Sequence, residues 1–560
     1  MISAVQKLKS SWSARDAQMR KDRDILRFVQ GTTKEGFEEI TLNEGKVLYD
    51  TCVGLLSANF PRIVLPIHFD ADDEEKRKMS KVERFLQGIL RQLDRQHLDR
   101  GRGQWLRELA YWVCSGWVTL FVNIDTEGKF QANFYDPITI YPHWTDAGLV
   151  EVARIASIPV GEAIALAKSW ELPLPRGFSK SSTDVELINY WEKKLDGVYN
   201  TILFGGKPVK PETKEDFEEI PIIIGLANGS PEMDSPDRWH QNLGQSIIAD
   251  NRLMYDYQNR WISMLMQIIA DTAYPPLQTA TASGEALFGK DDLGSGVVIP
   301  TKIGEEIKPI QYAGAPIEVN TVLSILSGCV QRGGLPYVIY GGLPFELSGF
   351  AISQLIAAIQ YKVSPYVKTI EQVLDKICNV FIDQFRQKGK TVTLSVSSKP
   401  GQFFVEEFAK ADIPKVRFIE VSIPQGTPQD KMQKILTARQ ALQPPALLSR
   451  ESLWEDFLDV EDTKLEEERI LRDQVNDLPV VKLLKVADDL RKRAIAASNA
   501  GNIEEARVLM GFAQVVIGQL TQAQQGGGQP QGGGAYPGSA GQGFRSGRIT
   551  PEQERAARGE

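Results

Sequence analysis

The stretch VNTVLSILSGCVQRGGLPYVIYGGLPFELSGFAISQLIAAIQY, Val319 to Tyr361, has only two charged side chains, Arg332 and Glu346, in a chain that is 24% charged. Its middle holds Gly333-Gly334, Pro336, Gly341-Gly342 and Pro344, residues that favour turns and left-handed backbone and that interrupt helices. The pattern predicts a mostly apolar loop between two helices. Downstream, Ser348 is placed to cap. Ile352, Leu355, Ile356, Ile359, Val363, Tyr366, Val367, Ile370, Leu374, Ile377 and Phe381 then recur at spacings of three and four, which predicts one long amphipathic helix. At about 1.5 Å per residue it would span about 50 Å. Pro365 lacks an amide hydrogen and crowds the Tyr361 carbonyl, so a kink is expected there. A long kinked helix behind a glycine-rich apolar loop is a device for assembly more than for catalysis.

The order helix, compact segment, helix, apolar loop, Ser348-Gly349-Phe350-Ala351, long kinked helix resembles the portal proteins of tailed bacteriophages, over roughly residues 1 to 475. The resemblance implies an α+β subunit. Its parts would be an α/β wing (1–244), a first stem helix (245–276), a small α/β clip (277–316) and a second stem helix (317–332). A tunnel loop (333–347) would follow, then the rest of the wing with the kinked helix and strands (348–428), a helical crown (429–520) and a disordered Gly/Gln-rich tail (521–560).

The same resemblance implies a ring of about twelve copies at one capsid vertex, a channel for packaging and ejecting double-stranded DNA. The partners it implies are major capsid and scaffolding proteins, the terminase large subunit, and head-tail adaptor and tail proteins. The location would be the virion, after assembly in the host cytoplasm. No enzymatic activity, cofactor, metal or membrane is expected. Arg332, Gly333, Gly334, Tyr337, Tyr340, Gly341, Gly342, Phe345 and Glu346 would form the tunnel loop and its flanks, with Arg332 and Glu346 paired at its base. The loop is expected to move, or else to be a buried turn without contact to DNA. Ile325, Leu326, Trp261 and Leu265 are the candidate contacts between subunits. An alternative is a soluble ring-forming scaffold unrelated to DNA translocation.

The net charge of −8 argues against a protein that grips nucleic acid, because gripping needs Lys and Arg to displace counterions from phosphate. A conduit is compatible with it, since DNA must slide through without tight phosphate contacts. At 560 residues several domains are expected. Cys52, Cys114, Cys329 and Cys378 are scattered and read as small buried hydrophobes in a reducing compartment. No uncharged run is both long and apolar enough to span a bilayer, so a soluble chain is expected.

Residues 11–29 carry both signs of charge around Trp12, Met19, Ile25, Leu26 and Phe28 and predict an exposed helix. Helices are also expected over 43–60, 74–96 and 103–114. From Trp117 the period changes to two, predicting a hairpin over 118–134, an edge strand over 135–142, a second hairpin over 185–204 and a buried strand over 221–225. A helix beginning near Gly244 runs to Pro275-Pro276 in this reading, with Ile247, Ile248, Met254, Tyr257, Trp261, Leu265 and Ile268 as its stripe. Short strands follow at 296–300 and 306–311. The second stem helix contains Gly328, a weakness unless close packing uses its missing side chain. Strands at 391–397 and 416–423 would rejoin the wing sheet. Helices are expected over 429–442, 449–457, 465–475, 480–497 and 503–520, and residues 522–543 have no core-forming pattern.

Several motifs resemble catalytic ones only in part. Gly284 to Lys290 has the spacing of a phosphate-binding loop, but Asp291 stands where a Ser or Thr would hold magnesium. This counts against a nucleotide-driven motor. Gly389-Lys390-Thr391 lacks the upstream glycine, since Gln384 holds that position. His68, His97, His143 and His240 show no ligand spacing. The aromatics Tyr337, Tyr340 and Phe345 either stack on bases or pack between subunits, and duplex DNA hides its bases, which favours packing.

Overall fold

The computed structural model describes residues 1–29, 39–66, 72–125, 128–170, 172, 184–231, 242–273, 277–280, 306–309, 318–340, 349–399, 402–416, 418–423, 467, 470–471, 474–475, 479–499 and 502–525. The fold mixes helix and strand, and the chain divides into two compact units, Met1–Gln425 and Gly426–Glu560.

The first unit opens with α1 (Ile2–Ser11), α2 (Ser13–Leu26), α3 (Glu44–Ser57), β1 (Arg62–Val64), α4 (Asp73–Asp99) and α5 (Trp105–Cys114). Strands β2 (Trp117–Ile124), β3 (Phe130–Tyr135), β4 (Ile140–Thr145) and β5 (Gly148–Ile158) follow, then α6 (Val160–Ser169) and β6 (Val185–Lys194), β7 (Gly197–Phe204), β8 (Lys207–Glu215) and β9 (Ile222–Leu226). The remaining elements are α7 (Arg252–Ala273), β10 (Leu277–Ala280), β11 (Glu306–Pro309), α8 (Glu318–Gly333), α9 (Gly349–Lys388), β12 (Val392–Lys399), β13 (Gln402–Phe408) and β14 (Glu420–Ser422).

The main core lies where α9 crosses the sheet β3-β2-β9. Ile370, Leu374, Ile377, Phe381 and Phe385 of α9 are buried there against Phe85 of α4 and Phe130 of β3, as their helical spacing predicts. Gly225 of β9 lets the helix approach, since a Cβ there would lie 2.4 Å from Cγ2 of Val373. The α4 helix is capped by Asp72, whose carboxylate accepts from the Glu75 amide at 2.7 Å. A second, five-stranded antiparallel sheet has the order β4-β5-β6-β7-β8.

Several expectations need correction. Residues 11–29 do not form one exposed helix. The chain breaks between α1 and α2 at Trp12, which is buried, and Arg15 is buried with it. The Arg15 guanidinium lies 4.8 Å from the Trp12 ring and 4.7 Å from the Trp117 ring, and pairs with Asp16 at 2.8 Å. Stacking and neutralisation offset the desolvation of this charge, which hydropathy alone reads as surface. The edge strand is β4, but it pairs with β5 in the five-stranded sheet and not with the first hairpin. Residues 244–248 are not helical. Ile247 and Ile248 are buried in the main core, a turn spans Ala249–Asn251, and the helix begins at Arg252.

The strand over 391–397 does not rejoin a larger sheet. It pairs with β13, while β14 pairs with β1. The long helix is one element, as its spacing predicts: α9 runs from Gly349 to Lys388 with Pro365 inside it. Residues 521–525 are helical, at the end of α11 (Ile503–Gln525). With α10 (Pro479–Asn499), α11 forms a hairpin in the second unit, closed on the small buried side chains Ala487, Ala494 and Ala513. The strand expected at 296–300, the helices over 429–442 and 449–457, the loop-like motif at 284–291 and the tail from 526 onward lie outside the described residues. So does most of the helix expected over 465–475.

Candidate assembly site

The helix pair α7 and α8 is antiparallel. Asn251, at the turn that opens α7, donates from Nδ2 to the Val330 carbonyl at 2.7 Å, in the last turns of α8. At the other end β10 follows α7, β11 precedes α8, and the two strands pair, Leu277 with Pro309 and Ala280 with Glu306. Part of α7 is covered by the chain preceding α3. The Ile40 amide donates to Ser263 Oγ at 3.0 Å and the Leu42 amide to Asn259 Oδ1 at 3.0 Å, which explains the burial of Ser263 inside an apolar pattern.

Much of the remaining apolar surface of the pair is exposed. Leu253, Tyr257, Met264, Met266 and Ile269 of α7 are exposed, and Ile325 of α8 is 57% exposed. Leu326, Trp261 and Leu265 are half-buried. A Cβ at Gly328 would meet nothing within 4 Å, so the bareness of this residue is not used within the subunit.

Of the predicted loop residues, Gly333 belongs to α8 and not to the loop. A Cβ on it would lie 2.1 Å from Asn251 Oδ1, so this glycine serves close packing. Neither Gly333 nor Gly334 has a positive φ. The free backbone expected at this pair is therefore absent: the chain here is held to the core, with Leu335 buried and Ile339 packed against it. Tyr337–Tyr340 is a 3-10 turn, and Tyr340 is exposed. Arg332 is exposed and donates to its own helix, from Nε to the Gly328 carbonyl at 3.2 Å. Gly341, Gly342, Phe345 and Glu346 lie outside the described residues, and with them the Arg332–Glu346 pair.

Beyond the loop, α9 returns along the root of the helix pair. Lys362 pairs with Asp250, and the Tyr366 hydroxyl donates to the Gln245 carbonyl at 3.1 Å. One turn past Pro365, Thr369 is buried, its Oγ1 2.9 Å from the Pro365 carbonyl and 3.1 Å from the Leu226 carbonyl. Asn251 and Leu335, which fix the root, were not singled out in the sequence. A polar residue inside the stripe that starts at Ile247 is the trace Asn251 leaves there.

Among the described residues no group of three His, Cys, Asp or Glu could hold a metal ion, and no helix is long and apolar enough to cross a membrane. Cys52, Cys114 and Cys378 are buried and Cys329 is half-buried. Burial pushes the Cys52 thiol up to about 12. Gly389 closes α9: a Cβ on it would lie 2.0 Å from the Phe385 carbonyl, a structural role for the Gly389-Lys390-Thr391 motif. No protein-family model and no curated protein matches this chain.

Proposed function

We propose that the chain is a portal-type subunit. Copies would assemble into a ring of about twelve around a channel for double-stranded DNA, without enzymatic activity of their own. In this reading α7 and α8 are the stem, β10 and β11 belong to the clip, the α/β body is the wing and the α10–α11 hairpin belongs to the crown. The observation that carries it is the stem's exposed apolar surface, from Leu253 to Ile269 and at Ile325, on a helix pair rooted in a well-packed body. A narrow pair of helices cannot bury such side chains within one subunit, and a neighbour related by ring symmetry covers them on every copy.

The mass of the purified particle tests the ring, and a stable monomer overturns it. The channel is tested separately. With Cys329 and Cys378 replaced by alanine, Tyr340→Cys is expected to cross-link neighbouring subunits or to capture packaged DNA carrying a thiol-reactive label. A ring in which this cysteine does neither has its channel elsewhere.

A further inference from the structure

The two sheets of the first unit share a small core of Ile140, Val152, Trp191, Val198, Ile220 and Ile222. Beyond it their faces do not close, and a cavity of about 1080 Å³ lies between them. One wall is the outer face of the β2–β3 hairpin, where Phe121 is opposite Asn133 and Asn123 opposite Gln131. The other wall is formed by β5, β6 and β7, with Arg154 and the bonded amides Asn189 and Asn200. A second cavity of about 470 Å³ shares Arg100 and Gln131 with the first and continues it along the end of α4.

The charge here runs against that of the chain. Over the whole sequence 72 Asp and Glu outnumber 64 Lys and Arg, whereas six Lys and Arg line the larger cavity against three Asp and Glu. Three of these cations have no carboxylate partner among the described residues. Arg100 donates to Asn133 Oδ1 at 2.9 Å, the Arg154 guanidinium lies 3.8 Å from the Tyr135 ring, and the Lys388 ammonium lies 4.5 Å from the Phe217 ring. Three lining atoms, Asn123 Oδ1, Arg154 Nε and Trp191 Nε1, are buried without a hydrogen-bond partner among the described residues, a cost that a bound polar chain would relieve.

We propose that this groove binds an extended acidic peptide segment of a partner protein. Side chains of one strand face project about every 6.8 Å, the repeat at which an extended peptide presents its own groups, so Gln131 and Asn133 are spaced to bond alternate peptide units. The unpaired Arg100, Arg154 and Lys388 then receive carboxylates in charge-assisted bonds. Nucleic acid is disfavoured by the aromatic walls, whose rings are already engaged: Phe121 stacks on Tyr135, and Trp191 meets Phe217 edge to face. They offer no open platform for bases.

The test uses the full-length chain and a fluorescein-labelled alternating Glu-Ser peptide of about eight residues, followed by anisotropy. Its controls are the Lys-Ser peptide and an oligothymidylate of matched charge. Saturable binding of the Glu-Ser peptide alone is expected, weakened by salt and weakened about tenfold by Arg154→Gln or Lys388→Gln. Arg154→Lys, which keeps the charge, should retain most of the affinity. Lys388 is exposed at a helix end, so its substitution keeps the test decisive if Arg154→Gln does not fold. The proposal is overturned by absence of saturable binding, by equal binding of the oligothymidylate, or by indifference to the loss of Lys388. None of these readouts depends on ring formation.

Discussion

Asn251 Nδ2 lies 2.7 Å from the Val330 carbonyl oxygen, so a single buried amide ties the turn that opens α7 to the end of α8. The same side chain fills the space that Gly333 leaves by having no Cβ. Asn251→Ala removes the donor and leaves a buried carbonyl unsatisfied, at about 1–3 kcal/mol. Urea denaturation of the variant should show this loss. Gly333→Ala drives a methyl into Asn251 and should cost a similar amount.

Ile325 and Gly328 separate folding from assembly. Ile325→Asp alters an exposed position, so the subunit should lose less than about 0.5 kcal/mol while native mass shifts toward monomers. Gly328→Ala is expected to stabilise the isolated helix by about 1 kcal/mol, since the methyl meets nothing within the subunit. If a neighbour packs against that glycine, the same variant forms fewer rings. Thermal unfolding and native mass on one preparation measure both effects.

Gly225 is where α9 and the sheet come closest. An alanine there puts its methyl 2.4 Å from Val373 Cγ2 and 2.8 Å from Val118 Cγ1, between two side chains in a packed core. Overpacking of this kind costs about 1–3 kcal/mol. A lowered denaturation midpoint with unchanged slope is the expected result.

His97 is buried between α4 and α5, 3.6 Å from Glu108. Burial lowers its pKa from the ordinary value of 6.5, against smaller opposing pulls from Glu108 and from a hydrogen bond with the Gly103 backbone. The unfolded chain therefore binds the proton more readily than the folded one. Stability is complete above about pH 6.5 and falls as the pH drops below that value. His97→Gln should flatten this part of the stability curve, as read by denaturation at a series of pH values.

Legibility in the sequence followed how local each determinant is. The α3, α4, α5 and α9 helices, the β2–β3 and β6–β7 hairpins and the α10–α11 hairpin all announce themselves by periodicity and by turn or capping residues within a few positions. Strands β5 and β8 and helix α6 were not anticipated. The Lys207–Glu215 strand is mostly charged and polar, with Val209 its one buried side chain, because as a sheet edge it has little to bury. The Arg15 cage and the Asn251 clamp depend on partners far along the chain, and neither leaves a pattern near its own position. Of the candidate site, the apolar character of α7 and α8 is readable, but the anchoring of the residues after α8 through Leu335 is not. A glycine pair reads as freedom in sequence, and here one of the two serves close contact.

The Arg84–Glu406 ion pair joins residues 322 apart in the chain, and the β1–β14 ladder closes a loop of comparable length. The ribosome adds about 5–20 residues per second, so Arg84 waits on the order of 15–65 s for its partner to be made. During that interval the faces of α4 and β2 that α9 will cover remain open to solvent and to one another's copies on neighbouring nascent chains. Slow translation is therefore a hazard for this architecture, and its yield in cells should depend on chaperone supply more than its final stability would suggest.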